Sequence, residues 1–181
     1  AFEVFCLKTP IKTKKYIMGI NESLADTHSV IDNKLYMKNG NKRKMCHCGK
    51  TFNLDAVVLD SPDVRLLTEF YAKLLNWKID FINEATCGRV SSPDGGCRLL
   101  IQLNEIYERP VWPEQKSFQQ QQEHLDFEVS SQEEMQSAVK HALNCGATLA
   151  EAQFGHNEEK QTNDWVTLID PVGHPFCFVI W

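Results

Sequence analysis

The strongest constraint on this chain is an internal repeat. Between residues 53 and 181 the sequence carries the same order of predicted elements twice, a strand, a helix and then three strands, in about 60 residues each. Short apolar runs rich in Val predict the strands, and apolar residues at i, i+3/i+4 and i+7 predict the helices. Each copy is too small to cover both faces of its own sheet, so we expect the two copies to pack together.

The first copy contains the clearer helix. It is predicted over Val64–Leu75, directly after the helix-start signal Ser61-Pro62-Asp63. The strands predicted around it are Leu54–Leu59, Trp77–Ile82, Cys87–Ser91 and Cys97–Leu103.

The second copy repeats this order after a long polar connection. Its helix is predicted from Ser130 to about Asn144 and ends at Gly146, which favours a left-handed cap. The strands predicted around it are His124–Val129, Thr148–Phe154, Trp165–Asp170 and Pro175–Trp181. The sequence therefore predicts an α+β fold in which two βαβββ modules pair into a partly open barrel around a cleft, the natural place for a ligand.

The first 52 residues have a different composition from the rest. They hold ten Lys/Arg and four Asp/Glu, a net charge of +6, whereas residues 53–181 hold nine and twenty, a net charge of −11. They also show little hydrophobic periodicity, so we predict a basic, irregular N-terminal arm over 1–52 and one domain over 53–181. The fragment Cys46-His47-Cys48 in this arm contains metal-ligand residue types, but it lacks the C-x₂-C or H-x₃-H spacing and the fourth ligand of a structural zinc site, and the nearest additions, Cys6 and His28, are far off in sequence.

Charge and hydropathy argue against nucleic-acid and membrane partners, and the cysteine content indicates the compartment. The overall net charge of −5 argues against nucleic acid as the main partner, and the basic stretch 38–44 is best interpreted as a solvated linker. No apolar run reaches the roughly 18–20 residues that a membrane span needs. Seven cysteines without a repeating spacing favour a reducing compartment, so we expect a cytoplasmic protein.

Three local motifs resemble one superfamily. The helix end Phe70-Tyr71-Ala72-Lys73-Leu74-Leu75-Asn76-Trp77, the hairpin Asp170–Cys177, and Trp112-Pro113 followed by Gln122–Asp126 occur in the order expected for it. They resemble the vicinal oxygen chelate superfamily, which includes glyoxalase I, extradiol dioxygenases, bleomycin-resistance proteins and a group known as the glyoxalase-like domain. The resemblance covers residues 53–181 and implies the paired βαβββ fold. It leaves function open, because this fold supports many chemistries.

The resemblance also implies four inward-facing metal positions. They map to Ala56, Gln102, His124 and Cys177 of this sequence, where the superfamily's metal enzymes carry His or Gln and Glu. Ala56 has no ligating atom, and the set contains no carboxylate for a base. We therefore expect no cofactor and no complete metal site. If a divalent metal binds, we expect His124 to hold it with Gln102 and Cys177.

The function predicted from these observations is the binding of a small organic molecule in the cleft between the modules. Five residues are predicted to line it: Gln102, Trp112, His124, Asp126 and Cys177. Gln102 and His124 would supply hydrogen bonds and Trp112 a stacking face, while Trp77 and Trp165 are predicted to be core. Cys177 also fits a small buried side chain without a ligand. The resemblance further implies a homodimer.

Two other functions stay open at this point. One is a metal-dependent enzyme of lyase, isomerase or dioxygenase type, which the retained His124 favours. The other is a structural dimerisation domain without any ligand, which would require a cleft filled by side chains.

Overall fold

The computed structural model of the protein describes residues 54–181 and the backbone of two short strands before them, β1 (Met37–Lys38) and β2 (Asn41–Lys42). These two strands pair antiparallel on either side of Asn39-Gly40, a dipeptide that favours tight hairpin turns. The Cys46-His47-Cys48 fragment and the remainder of the predicted arm lie outside the described residues. Leu54–Trp181 forms a unit of its own.

Two βαβββ modules make up this unit, which confirms the α+β fold. The first module consists of β3 (Ala56–Ser61), α1 (Val64–Leu75), β4 (Lys78–Asn83), β5 (Cys87–Ser91) and β6 (Arg98–Leu103). The second consists of β7 (Leu125–Glu128), α2 (Gln132–Cys145), β8 (Thr148–Leu149), the small hairpin β9 (His156–Asn157) and β10 (Thr162–Asn163), β11 (Trp165–Ile169) and β12 (Pro175–Val179).

Each module has its own four-stranded sheet. The strand orders are β3-β6-β5-β4 and β7-β12-β11-β8, and in each sheet the first strand of the module lies at the edge, parallel to the last. All other pairs are antiparallel. The two sheets stay separate within residues 54–181, so no closed barrel forms there.

Both helices have a side-chain N-cap and a left-handed C-cap. The side chains of Asp63 and Ser131 accept hydrogen bonds from backbone N–H groups three residues on, at 2.9 and 3.2 Å. At the other end, Asn76 and Gly146 adopt the left-handed conformation, with φ of 52° and 111°. The N-caps are 68 residues apart, because the chain repeats itself, and this offset identifies equivalent positions in the two modules.

Helix α1 supplies more of the core than α2 does. Six of its twelve residues are buried, whereas α2 buries Met135 and Ala142. The ring of Phe70 on α1 packs edge-on against Phe176 on β12, with centroids 6.0 Å apart. The first module's helix packs mainly on its own sheet, and the Phe70–Phe176 contact also joins it to the second module.

A buried carboxylate organises the turn before β12. Oδ1 of Asp170 accepts the backbone N–H groups of Val172, Gly173 and His174 at 2.7–3.0 Å, and Oδ2 accepts the Tyr71 hydroxyl at 3.1 Å. Gly173 has φ of 114°, which suits a residue without a Cβ. The turn is thereby tied to α1, so it also joins the modules.

The strand expected over Thr148–Phe154 is shorter than predicted, because only Thr148–Leu149 forms β8. The side-chain amide of Gln153 explains the early end. Its Oε1 accepts the N–H of Thr167 at 2.9 Å, in place of a backbone partner, and its Nε2 donates to the carbonyl of Thr167 at 2.8 Å. Neither helix within residues 54–181 is long and apolar enough to cross a membrane.

Candidate functional site

The candidate site lies on the face of the second sheet that points away from the helices. Side chains alternate along a strand, so Phe176 and Phe178 enter the core while Cys177 lies on the opposite face. The register places Asp126 on β7 and Thr167 on β11 directly beside Cys177. His124 comes two residues before Asp126 and therefore joins the same face.

Three of the five predicted site residues are close together here. Nε2 of His124 lies 3.3 Å from Oδ1 of Asp126. One ligating atom from each of His124, Asp126 and Cys177 lies within 4.8 Å of the others. We call these three side chains the His-Asp-Cys cluster.

Cys177 is held as a neutral thiol. Burial is the main factor that raises the pKa of the Cys177 thiol, and the neighbouring Asp126 carboxylate raises it further. The hydrogen bond between the Thr167 hydroxyl and Sγ, at 3.4 Å, acts in the opposite direction. A thiol in this state is a poor nucleophile, because the thiolate is the reactive form.

The His-Asp-Cys cluster forms the floor of a cavity of about 490 Å³. Trp165 and Trp181 provide aromatic walls, and they are 38% and 86% exposed. Lys160 and Asp164 lie at the rim and form an ion pair of 3.6 Å. This size and this combination of aromatic walls with a few polar groups are typical of small-molecule sites.

The other two predicted site residues lie elsewhere, so the expectation that all five line one cleft is corrected. Gln102 is on β6 of the first sheet, opposite Asp60 and Cys87, and is exposed. Trp112 lies in the connection between the modules, where it packs edge-on against Phe154 and lines a second cavity of about 340 Å³. Alternation of side chains along a strand predicts which face a strand residue lies on. It does not predict where a residue of a long connection, such as Trp112, packs.

Sequence reasoning missed six residues that line this cavity: Lys160, Asp164, Trp165, Val179, Ile180 and Trp181. Trp165 was expected in the core, yet its position on β11 opposite Val179 places it at the cavity. Alternation from Thr167 would have indicated this face. Lys160 and Asp164 depend on the β9–β10 hairpin, which has no hydrophobic pattern in the sequence.

The superfamily's four metal positions are divided between the two sheets. Ala56 and Gln102 lie on the first sheet, whereas His124 and Cys177 lie on the second. Ala56 has no donor atom. The residues present do not fit the hard divalent metal that the family's His and Glu ligands hold.

Paired βαβββ modules with a site on a free sheet face define the class of this protein, the vicinal oxygen chelate fold. The sequence profile of the glyoxalase-like domain matches residues 56–179, so the chain belongs to that family. No curated protein matches the sequence.

Solved structures agree on the fold. Protein ATC0852 from Agrobacterium tumefaciens is 18% identical with a TM-score of 0.54, over 72% of this chain and 98% of that one. A glyoxalase-related enzyme from Fulvimarina pelagi is 15% identical with a TM-score of 0.51, over 71% and 88%. A glyoxalase/bleomycin resistance protein/dioxygenase family enzyme from Burkholderia phytofirmans PsJN is 19% identical with a TM-score of 0.50, over 71% and 98%. At such identities the similarity shows the fold alone.

Proposed function

We propose that this protein binds a small organic molecule in the cavity above the His-Asp-Cys cluster. The observation that carries the proposal is the cavity itself, about 490 Å³ with two indole rings in its wall and three polar side chains at its floor. Exposed indoles beside a polar floor suit a ligand with a planar apolar body and a polar end. The binding does not require the four-position metal centre of the family's enzymes.

Each lining residue has a defined role in this proposal. His124 and Asp126 hydrogen-bond the polar end of the ligand, because both side chains are partly exposed to the cavity. Trp165 and Trp181 stack on its body. Cys177 shapes the floor as a small neutral side chain.

The protein acts as a homodimer in this proposal. The free face of the first sheet is partly apolar, and Val58 on it is 48% exposed. We propose this apolar face of the first sheet as the surface that contacts the second copy. A cytoplasmic location is supported by the described cysteines, since Cys87, Cys97, Cys145 and Cys177 form no disulfide.

A thermal-shift screen with a library of small aromatic acids and amines tests the binding proposal. We expect compounds that raise the Tm of the wild type to lose that effect in Trp165→Ala and Asp126→Asn. Trp112→Phe, in the second cavity, is the matched control and should keep it. If the rise in Tm persists in Trp165→Ala but disappears in Trp112→Phe, the ligand binds in the second cavity and the proposal is wrong.

A metal-dependent lyase, isomerase or dioxygenase is the second candidate function. It is favoured by one observation, the presence of imidazole, carboxylate and thiol donors within 4.8 Å at the floor of the cavity. Activity on a thermal-shift ligand that requires added metal, and that Asp126→Asn removes, would favour this candidate over simple binding.

A further inference from the structure

The second cavity, beside Trp112, is separate from the cavity above the His-Asp-Cys cluster and has a volume of about 340 Å³. Arg109 and Trp112, in the connection between the modules, form one part of its wall. The edge strand β8, the residues directly after it and the turn at Gly173 form the rest, together with Ile169 on β11. No described residue lines both cavities. The second cavity can therefore hold a ligand of its own.

The indole N–H of Trp112 is buried and has no hydrogen-bond partner among residues 54–181. Its ring is held in place by edge-on packing against Phe154, with centroids 6.2 Å apart. Buried donors in folded proteins are nearly always paired, because an unpaired donor has lost its hydrogen bond to water. Since Trp112 lines the second cavity, an acceptor atom on a bound molecule can satisfy this N–H.

Arg109 brings a positive charge to the same cavity. One guanidinium N–H donates to the backbone carbonyl of Pro171 at 3.0 Å. The stem of the side chain lies against Gly173, where an added Cβ would be 2.5 Å from Arg109 Cγ. An arginine has five N–H donors in a planar fork, so most of them remain for a carboxylate, which the fork binds in a bidentate manner.

Glu151 brings the opposite charge. It follows β8 by two residues and lines the second cavity together with Arg109. Within the described part of the chain, neither side chain forms an ion pair with the other or with a third residue. Charges of opposite sign beside one cavity are complementary to a small zwitterion.

Apolar side chains supply the remaining character of the cavity. Leu149 is a large apolar residue, yet it is 51% exposed, and Ile169 on the neighbouring strand β11 is partly buried. A volume of about 340 Å³ lies at the lower end of the range for small-molecule sites, so the ligand is small. An amino acid with an apolar side chain combines this size with both charges and an apolar body.

We propose that the second cavity binds a free amino acid with an apolar side chain. The Arg109 guanidinium and the Trp112 N–H donate hydrogen bonds to its carboxylate, and the Glu151 carboxylate accepts them from its ammonium group. Leu149 and Ile169 contact its side chain. This site goes beyond the proposed function, because both the cavity and the ligand are different.

Calorimetric titration of the full chain with L-leucine, L-methionine and L-phenylalanine tests this proposal. We expect at least one of the three to bind with one equivalent. Analogues of the tightest binder that lack one charged group should bind at least about tenfold more weakly, because a hydrogen-bonded charge of the cavity is then left without its partner. For leucine these analogues are isocaproate, without the ammonium group, and isoamylamine, without the carboxylate.

Variants of the chain locate the amino acid. Arg109→Gln and Glu151→Gln should each weaken its binding at least about tenfold. Trp112→Phe should weaken it by a smaller factor, because the ring packing stays while the N–H is lost. Lys116→Gln and Glu105→Gln are the matched controls, since they remove exposed charges of the same connection outside both cavities, and they should bind as the wild type does.

Three results would overturn the amino-acid site. The first is that none of the three amino acids binds to the wild type at millimolar concentration. The second is binding that stays unchanged in both Arg109→Gln and Glu151→Gln, which are exposed positions where the variants should fold. The third is binding that Trp165→Ala removes and Arg109→Gln leaves intact, because the amino acid then occupies the cavity above the His-Asp-Cys cluster.

Discussion

The two modules share a topology but differ on the free face of their sheets. With the 68-residue offset between the N-caps, His124 and Asp126 of the second module correspond to Ala56 and Val58 of the first. Val58 pairs with Leu100 as Asp126 pairs with Cys177. All three side chains of the His-Asp-Cys cluster are therefore replaced by apolar side chains at the equivalent positions of the first sheet. The repeat determines the fold, and a few outward positions determine which sheet carries a site.

The two helices differ in how many of their residues are buried, and here the first module has the larger number. Helix α1 of the first module is buried along one whole side and contacts the second sheet, whereas α2 buries two residues. The helix of the first module thus contributes more of the core than the helix of the second, while the sheet of the second module carries the His-Asp-Cys cluster. Three predictions test this division, beginning with the largest expected effect.

Leu67→Ala in α1 should destabilise the protein far more than Leu143→Ala in α2. Leu67 is fully buried, whereas Leu143 is 44% exposed. Truncation of a buried Leu costs about 2–5 kcal/mol, because it removes transfer free energy and leaves a cavity. Urea unfolding of both variants gives the two free energies of unfolding. Equal losses would contradict the assignment of the core to α1.

Loss of one carboxylate should weaken ligand binding only when that carboxylate lies on the second sheet. Asp126→Asn removes the charged hydrogen-bond acceptor at the floor of the cavity, whereas Asp80→Asn changes an exposed carboxylate of the first sheet that pairs with Arg89. We expect binding of a compound that raises the Tm to weaken about tenfold in Asp126→Asn, because a hydrogen bond to a charged group contributes about 1.5–3 kcal/mol. Asp80→Asn is the matched control and should bind in calorimetry as the wild type does. Equal weakening in both variants would show that the second sheet is not the binding surface.

The last turns of the two modules should differ in their response to pH. Burial is the main factor that raises the pKa of the Asp170 carboxyl above its ordinary value of 3.8. The native state then keeps this proton to a higher pH than the unfolded chain does. The free energy of unfolding should fall as the pH rises from the ordinary Asp range through the raised pKa, by at most about 1.4 kcal/mol per pH unit.

Asp170→Asn should remove that component of the pH dependence, because the amide keeps an acceptor for the turn's N–H groups and does not ionise. Asp94→Asn, in the exposed turn of the first module, is the matched control. Urea midpoints measured from pH 4 to pH 8 give the comparison. A wild-type slope that Asp170→Asn leaves intact would assign the pH dependence to other groups.

Most of the fold could be predicted because its signals are local. The helix over Val64–Leu75 and the strand over Cys87–Ser91 have the predicted bounds, since a capping residue and turn residues mark their ends. The early end of β8 could not be predicted, because the side chain of Gln153 bonds the backbone of β11 there. That bond depends on a strand 14 residues further along the chain.

The site was predictable only in part, for a related reason. Alternation along β7 placed His124 and Asp126 on one face, and the repeat placed Cys177 on the last strand. Whether Gln102 lies near the His-Asp-Cys cluster depends on how the two modules pack together. The position of Trp112 depends on a long irregular connection. The aromatic walls were missed for two reasons. A Trp on a strand, such as Trp165, is usually interpreted as a core residue, and Trp181 lies beyond the end of the last strand.

The central claim is that the free face of the second sheet, and not that of the first, is the binding surface. Amide chemical-shift mapping of the ¹⁵N-labelled chain during titration with a compound that raises its Tm tests it directly. The account predicts the largest shifts at Asp126, Thr167 and Cys177, with Val58 and Leu100 unchanged. Shifts centred on Val58, Leu100 or Gln102 would contradict it.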